Sequence, residues 1–437
     1  MRTLTNELSQ HIGKPVTISG WLHKKRLLGG LTFIVLRDRS GIVQILVKDK
    51  AEVEKLREHQ LGSVLTIEGT PAEDERAPGG LEIHDATLTV EVAVKDQPPI
   101  EIDKPLEHKS ENLDTLLDYR PIGLRNLREQ AVFRLQAEIV EALRHHFRQN
   151  QFTEIRTPKL LAAATEGGAE VFKMDYFGKQ EATLAQSPQF YKQMMVGVFE
   201  RVYEIAPVYR AEPSATTRHM TEYISVDGEM GFINLQDLQD FLSGMLNTVV
   251  NTVWETCEPD LKLWNASKPV LTEKLPTISM DDIHEKYTKA TSTSTIGEKD
   301  LRPDEERWIC EYAKKELGSE AVFVGGWPRQ GAKFYHKFED DNQERAERVD
   351  LLFRGVEIVT ASMREHRYDK LISQLEGMAG GNPEAEGFKA FLMAMHYGMP
   401  PHGGFGMGLE RLTQKMLGLQ NVKEASLFPR DINRLAP

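Results

Sequence analysis

Cysteine is scarce in this 437-residue chain: only Cys257 and Cys310 occur, far apart and in no metal-ligand spacing. That fits a reducing cytoplasm, with both thiols read as small buried hydrophobes. No apolar run approaches the ~18 residues that a membrane span needs. The opening "MRTLTNELSQHIG" has no apolar core of the kind that directs export. A phosphate-cradling loop is missing as well. The glycine-rich stretch "HGGFGMGLERL", 402 to 412, has neither the lysine and hydroxyl of a P-loop nor the spacing of a dinucleotide fingerprint. A formal net charge of −12 argues against indiscriminate nucleic-acid binding.

What is present is a soluble globular composition, 40% hydrophobic and 27% charged, long enough for two or three domains. The charge is unevenly spread. Residues 1 to 50 hold nine Lys and Arg against Glu7, Asp38 and Asp49, a local net of +6. One region is thus suited to a polyanion while the rest is not. Residues 15 to 94 read as five short strands, "PVTISGWL", "LTFIVLRD", "GIVQILVKD", "SVLTIEGT" and "LEIHDATLTVEVAV", punctuated by glycine pairs. Five such strands suggest a small closed barrel of the OB type, which carries single-stranded nucleic acid by stacking bases beside a basic groove. Trp21, Phe33 and the Lys24–Arg26 run supply those materials, although each alone is equally a core or turn residue.

Residues 98 to 126, with several prolines and many charges, read as an extended hinge. From Leu127 to Asn150, Val132, Leu135, Ile139, Leu143 and Phe147 recur at helical spacing, and His145 and His146 read as surface or cap residues. "FTEIRTPKLL" reads as a strand that Pro158 confines to an edge or interface. The remainder alternates strands and helices, and four stretches concentrate chemistry-capable side chains. "TEGGAEVF" sets Glu166 and Glu170 about a glycine pair, as a closing loop would. "AQSPQFYKQMM" carries Gln186, Ser187, Gln189 and Lys192 on a strand-to-helix turn. In "RVYEIAPVYRAEPSATTRHMTEYISVDGEM", Arg210-x-Glu212 faces Arg218 and His219 across a loop; arginine suits phosphate because its fork donates bidentately. In "RVDLLFRGVEIVTASMREHRY", Asp350 and Glu357 flank a tight Arg354-Gly355 turn and could hold magnesium against phosphates, while a buried Arg364 would need an anionic partner.

Taken in order, Arg210-x-Glu212, the Asp350/Glu357 hairpin and Gly404-x-Gly406-x-Gly408-x-x-Arg411 resemble motifs 2 and 3 of the class II aminoacyl-tRNA synthetases, with Pro158 where motif 1 has its interface proline. The barrel, "LDYRPIGLRN", "QSPQFYK" and the close "SLFPRD" are similar to the archaeal-type aspartyl-tRNA synthetases, over essentially the whole chain. The resemblance implies an anticodon-binding barrel at 1–97, a hinge at 98–126, and a catalytic domain at 127–437 on an antiparallel sheet flanked by helices. Motif 1 would lie at about 135–160, motif 2 at about 201–230 and motif 3 at about 402–417, the glycines opening a helix start beneath ATP.

The implied activity is ATP- and magnesium-dependent attachment of L-aspartate to tRNA through an aspartyl adenylate, in a cytoplasmic homodimer. Arg210 would bridge the ATP α-phosphate and the amino acid's carboxylate, and Glu212 would read the adenine amine. Arg218, His219, Met220, Gly408, Leu409, Glu410 and Arg411 would complete the ATP site. Glu357 with Asp350 would carry magnesium, Thr360 standing where serine is usual. Lys192 and Arg364 would pair with the aspartate side chain, and Gln189 and Glu170 would hold its ammonium end. In the barrel, Phe33 would stack a base and Gln44 and Glu82 would read edges. His23 and Pro78 occupy places that mark relaxed reading of both tRNA(Asp) and tRNA(Asn), the second product then going to a tRNA-dependent amidotransferase. The alternatives are a strictly discriminating aspartyl enzyme, an asparaginyl-tRNA synthetase, a free-standing asparagine-forming ligase and a catalytically dead tRNA-binding paralogue. "HIGK" at 11–14, which resembles a class I signature, lacks its partner motif. Residues 259–345 match least and suggest only helix-and-strand padding.

Overall fold

Alternating Val, Ile and Leu give the N-terminal strands one inward face. In the computed structural model β1 (Val16–Leu28), β2 (Leu31–Arg37), β3 (Ile42–Val47), β4 (Val64–Glu73) and β5 (Leu81–Val92) close a barrel in the order β1-β2-β3-β5-β4. Residues 2–28, 31–106, 112–162, 170–213, 216–378 and 381–437 are described. The chain divides into two compact units, Met1–Gln130 and Ala131–Pro437. Ile18, Leu22, Ile34, Leu36, Ile45, Ile67 and Ile83 fill the barrel. A short helix unforeseen in the sequence, α1 (Lys50–Glu58), follows β3; the Asp49 carboxylate caps it by accepting from the Ala51 and Glu52 amides.

The hinge is less extended than its prolines suggest. Its latter part coils into α2 (Leu113–Asp118) and α3 (Arg120–Gly123). Pro121 sits in the first turn of α3, where a missing amide is harmless, and the buried Arg120 pairs with Glu129 at 3.5 Å. Next comes α4 (Leu127–Gln149), whose stripe Val132, Leu135, Ile139, Leu143 and Phe147 is buried. His146 is a correction. Seven residues after Ile139, it lies on the same stripe, buried 4.9 Å from the Phe241 ring, and burial lowers its pKa; His145 alone is at the surface.

"FTEIRTPKLL" is not one strand. It splits into β6 (Thr153–Glu154) and β7 (Leu160–Leu161), with Pro158 in the break. β7 joins β8 (Lys173–Tyr176) and β9 (Gln180–Leu184) in a three-stranded sheet, and α5 (Gln189–Phe199) follows. The main sheet is completed by β10 (Arg201–Tyr209), β11 (Glu222–Gly231), β12 (Thr277–Ser279), β13 (Ala321–Gly325), β14 (Arg348–Phe353), β15 (Val356–Arg364) and β16 (His402–Gly408). Its order is β12-β13-β14-β15-β16-β11-β10-β6, antiparallel throughout except for the outermost pairs, which are parallel. Helices α6 (Leu235–Thr256), α7 (Glu258–Trp264), α8 (Met280–Thr291), α9 (Pro303–Tyr312), α10 (Tyr368–Glu376), α11 (Glu386–His396) and α12 (Leu409–Leu417) complete the unit. No helix among the described residues is long and apolar enough to cross a membrane.

The glycines of 402–412 are strand residues rather than the start of a helix. β16 runs between β11 and β15, and Gly404 and Gly406 stand opposite Glu229 and Asp227 of β11. A Cβ on Gly404 would lie 1.9 Å from a Glu229 carboxylate oxygen and 2.3 Å from the Gly228 carbonyl. Glycine here makes room for a buried acid. Gly404→Ala should therefore cost about 3 kcal/mol or more, the scale of breaking a buried ion pair. Gly408→Ala, whose Cβ would make only ordinary contacts at 3.7 Å, should cost under about 1 kcal/mol. Urea unfolding of the two variants checks this; equal losses would contradict it.

Candidate active site

At the centre of the larger unit a cavity of about 300 Å³ opens over β11, β15 and β16. β11 presents Ser225, Asp227 and Glu229 on one face, two apart as strand geometry requires. Lys192, projecting from α5, donates to Asp227 at 2.8 Å and to the Phe405 carbonyl at 2.8 Å, and lies 3.6 Å from Glu229. Arg364 finds the anion that its burial demanded. Its Nε donates to one Glu229 oxygen at 2.7 Å, Nη2 to the other at 3.2 Å, and Nη1 to the Ser362 hydroxyl at 2.6 Å. Burial pushes the Glu229 carboxyl up, but Arg364 and Lys192 more than offset this and it titrates below the usual range. Asp227 and Glu229 were not singled out in the sequence, although their period-2 placement on a recognised strand was the available signal.

Arg210 and Glu212 both line the cavity, just beyond the end of β10 rather than on it; the Arg210 amide still donates to the Thr221 carbonyl. Arg218, His219 and Met220 line it too. The His219 pKa is lowered by burial and by Arg411. Arg411 donates to the Glu357 carbonyl at 2.9 Å and to the Arg218 carbonyl at 3.3 Å, so it ties β15 to the segment carrying Arg218. Gly408 is on the wall, but the Leu409 side chain is turned into the hydrophobic core. Glu410 reaches the wall with its carboxylate committed to the Ile224 amide at 3.0 and 3.1 Å, and burial pushes its pKa to about 7.

The hairpin of β14 and β15 brings the expected carboxylates together by an irregularity. Leu351 pairs with Val359 but Leu352 with Glu357, leaving Ile358 as the extra residue of a bulge. Without it Glu357 and Thr360, three apart, would face opposite sides. With it the Thr360 hydroxyl donates to Glu357 at 2.7 Å. Asp350 lies off the cavity wall, held by Arg348 at 3.0 and 2.6 Å, and Arg348 in turn stacks 4.1 Å over Trp327. Burial, with Glu357 adding to it, raises Asp350 to about 7, while Glu357 itself is held low, its burial outweighed by Arg411 and Thr360. Two adjacent carboxylates of this kind suit a cation that is completed by phosphate oxygens. Among the described residues no group of three His, Cys, Asp or Glu forms a ready-made cage.

Gln189 and Ser187 are on the wall, and the Gln189 Nε2 is buried without a hydrogen-bond partner. Glu170 is not on the wall: its side chain is exposed and its carbonyl accepts from Ala211 at 2.7 Å. Glu166 lies outside the described residues. The segment between β13 and β14, from which no role was expected, supplies Gly331, Lys333, Tyr335 and His336 to the cavity. His336 is kept neutral by burial and by Arg364, Arg348 and Lys333, with Nδ1 unpartnered.

In the barrel, Gln44 donates to Glu82 at 2.7 Å across the parallel β3–β5 pair, and His84 holds the other Glu82 oxygen at 2.9 Å. Phe33, half-buried, shares the outer face with Gln44, since Val35 pairs with Gln44 and Phe33 lies two residues before Val35. His23 is the extra residue of a bulge between Leu22 and Lys24, and it is buried and held near pKa 4 by burial, then Arg37. A base cannot stack on it there. Pro78 is exposed in the β4–β5 turn. Lys25 is committed to the Leu56 and His59 carbonyls rather than to solvent, and Trp21 lies under Arg37 at 4.9 Å.

A closed barrel with an acid–amide pair on its outer face, and an arginine-lined cavity over a mainly antiparallel sheet, define a class II synthetase architecture. Residues 112–432 match the family described as tRNA synthetases class II (D, K and N), and residues 16–91 match the OB-fold nucleic acid binding domain. The chain belongs to that synthetase family. A Thermus thermophilus protein named aspartate–tRNA(Asp/Asn) ligase is 42% identical over 100% of both chains. A Pyrococcus abyssi protein named aspartate–tRNA(Asp) ligase is 40% identical over 99% of this chain and 98% of its own. The crystal structure of asparaginyl-tRNA synthetase from Pyrococcus horikoshii complexed with asparaginyl-adenylate superposes with a TM-score of 0.90 at 30% identity over 100% of both chains.

Glu410 generates a pH test. Its folded pKa of about 7 exceeds the ordinary carboxylate value, so its stabilising contribution is full below the unfolded pKa and is lost as pH rises through 7. Glu410→Gln keeps the acceptor for Ile224. Its melting temperature should match the parent's near pH 4.5 and exceed it at pH 8; the same difference at both pH values would contradict this.

Proposed function

We propose that the protein attaches L-aspartate to tRNA in two steps through an aspartyl adenylate, in the cytoplasm and as a homodimer joined through residues 135–160. The observation that carries the reading is the cavity, where a lysine and an arginine meet two acids at one end and Arg210, Arg218 and Arg411 gather at the other. Aspartate enters as a zwitterion. Its ammonium replaces Lys192 at Asp227, with Gln189 beside it, and Lys192 and Arg364 turn to the side-chain carboxylate. Asparagine offers donors to these donors and leaves the cations poorly compensated, which supports discrimination of ~10⁴ or more.

Arg210 holds the α-carboxylate against the ATP α-phosphate, and Glu212 accepts from the adenine amine. Arg218, His219 and Arg411 hold the distal phosphates and base, with Met220, Gly408, Glu410 and the Leu409 backbone around them. Glu357 and Asp350, with Thr360 beside them, would hold magnesium, which would neutralise phosphate charge. The α-carboxylate displaces pyrophosphate in line, and the terminal ribose hydroxyl of tRNA then takes the aspartyl group; positioning and charge supply the catalysis. Glu170 closes over the ammonium end only if its exposed side chain turns inward.

The barrel reads the anticodon through Phe33, Gln44 and Glu82. Relaxed reading, with aspartylated tRNA(Asn) passed to an amidotransferase, is supported by the Asp/Asn name of the Thermus relative. His23 acts in it through the bulge and Pro78 through the turn. Asparagine activation is the second reading, favoured by the likeness to the asparaginyl structure and by the internal neutralisation of Lys192 and Arg364.

Unmodified tRNA(Asp) and tRNA(Asn) transcripts at equal concentration, with radiolabelled aspartate, test the assignment. Both should be charged to comparable extents. Charging of tRNA(Asp) alone would remove the relaxed reading, and charging of neither would remove the assignment.

A further inference from the structure

One buried carboxylate beside the cavity has no task in the proposed reaction. Glu306 on α9 stands next in sequence to Glu305, which is spent on structure: it accepts from the Arg302 amide and from Thr295, and pairs with His284. Glu306 instead takes Nη2 of Arg218 in an ion pair that links α9 to the loop between β10 and β11. Both side chains are largely buried, at 20% and 13% exposure. Arg218 lines the cavity and Glu306 does not, so the acid grips the guanidinium from outside the ligand space. The Arg218 Nε is buried and has no hydrogen-bond partner. The backbone of the same residue is fixed separately, its carbonyl accepting from Arg411 at 3.3 Å.

Arginine carries much rotamer entropy, and Arg218 sits on a turn with exposed Thr216 and Thr217 beside it, outside any strand that would orient it. Nε and Nη2 share one edge of the fork, so an anchor on Nη2 leaves the Nη1 side to meet a ligand. We infer that Glu306 is a positioning residue for the nucleotide: by holding Nη2 of Arg218 it presents Nη1 to the β- and γ-phosphates of ATP. The inference rests on the proposed assignment of Arg218 to the distal phosphates. It gives α9, within the stretch 259–345 that matches the resemblance least, a part in the site. Glu306 also lies near Glu357 and Arg411, and burial raises its pKa. Arg218 opposes that rise, and the pair is formed without the ligand.

The test is calorimetric titration of the full chain with magnesium ATP and, separately, with AMP, which lacks the distal phosphates. Glu306→Gln should weaken ATP binding about fivefold or more, the loss of one oriented charge-assisted contact, and leave AMP within about twofold. Glu306→Asp should fall between parent and Gln. In an Arg218→Ala background, Glu306→Gln should have no further effect on ATP, whereas a merely structural role of α9 would persist there. Tighter ATP binding by Glu306→Gln would mean that the acid competes with phosphate, and would overturn the inference. So would unchanged ATP binding, or an equal loss for ATP and AMP. If the parent protein itself binds no ATP, the functional assignment falls and the inference with it.

Discussion

Two acids and two cations buried side by side in the middle of a sheet must neutralise one another, and the architecture of the larger unit follows from that requirement. Lys192, Asp227, Arg364 and Glu229 come from three elements, α5, β11 and β15. The pairing works only because β16, running between β11 and β15, offers glycines where side chains would collide. Removing one member leaves a buried uncompensated charge, which costs far more than the pair contributes. Position 404 is thus fixed by the charge on position 229, and 229 by the arginine at 364.

The same constraint governs the rest of the cavity. Arg348 neutralises Asp350 and Arg218 takes Glu306. These cations are already charged, desolvated and oriented. An entering anionic ligand thus meets cations already held in place by internal carboxylates rather than free side chains recruited from solvent. Preorganisation of this kind spares reorganisation at the moment of reaction and works at short range in a low-dielectric space. It also explains why burial pushes Asp350 and Glu410 to about 7 while Glu229 and Glu357 stay low. At Asp350 burial and the neighbouring Glu357 outweigh Arg348, and at Glu410 burial outweighs the Ile224 amide, whereas at Glu229 and Glu357 the cationic neighbours prevail.

Much of this was legible in the sequence where one rule dominated. The barrel strands follow from period-2 runs of β-branched residues, and α4 follows from its 3.6-residue stripe. Arg210, Glu212, Arg218, Arg411, Glu357 and Lys192 reach one cavity as their spacing and resemblance suggested. What stayed hidden depends on irregularity or on distant partners. The bulges at His23 and Ile358 change which way side chains face, and no local pattern announces them. Leu409 and Asp350 keep off the wall, one drawn into the core and the other held by Arg348. Asp227 and Glu229 were within reach, since β11 was recognised and their alternation was plain. Arg348, His336 and Glu306 were not, because their significance lies in neighbours far away in the chain.

Selection by charge at the Lys192–Arg364 end is the central claim, and amino-acid-dependent exchange of pyrophosphate into ATP reads it without involving tRNA. With L-aspartate the exchange should proceed, and with L-asparagine kcat/KM should be lower by ~10⁴ or more, as expected for a site that opposes donors to donors. Comparable exchange with both, or a preference for asparagine, would contradict the account.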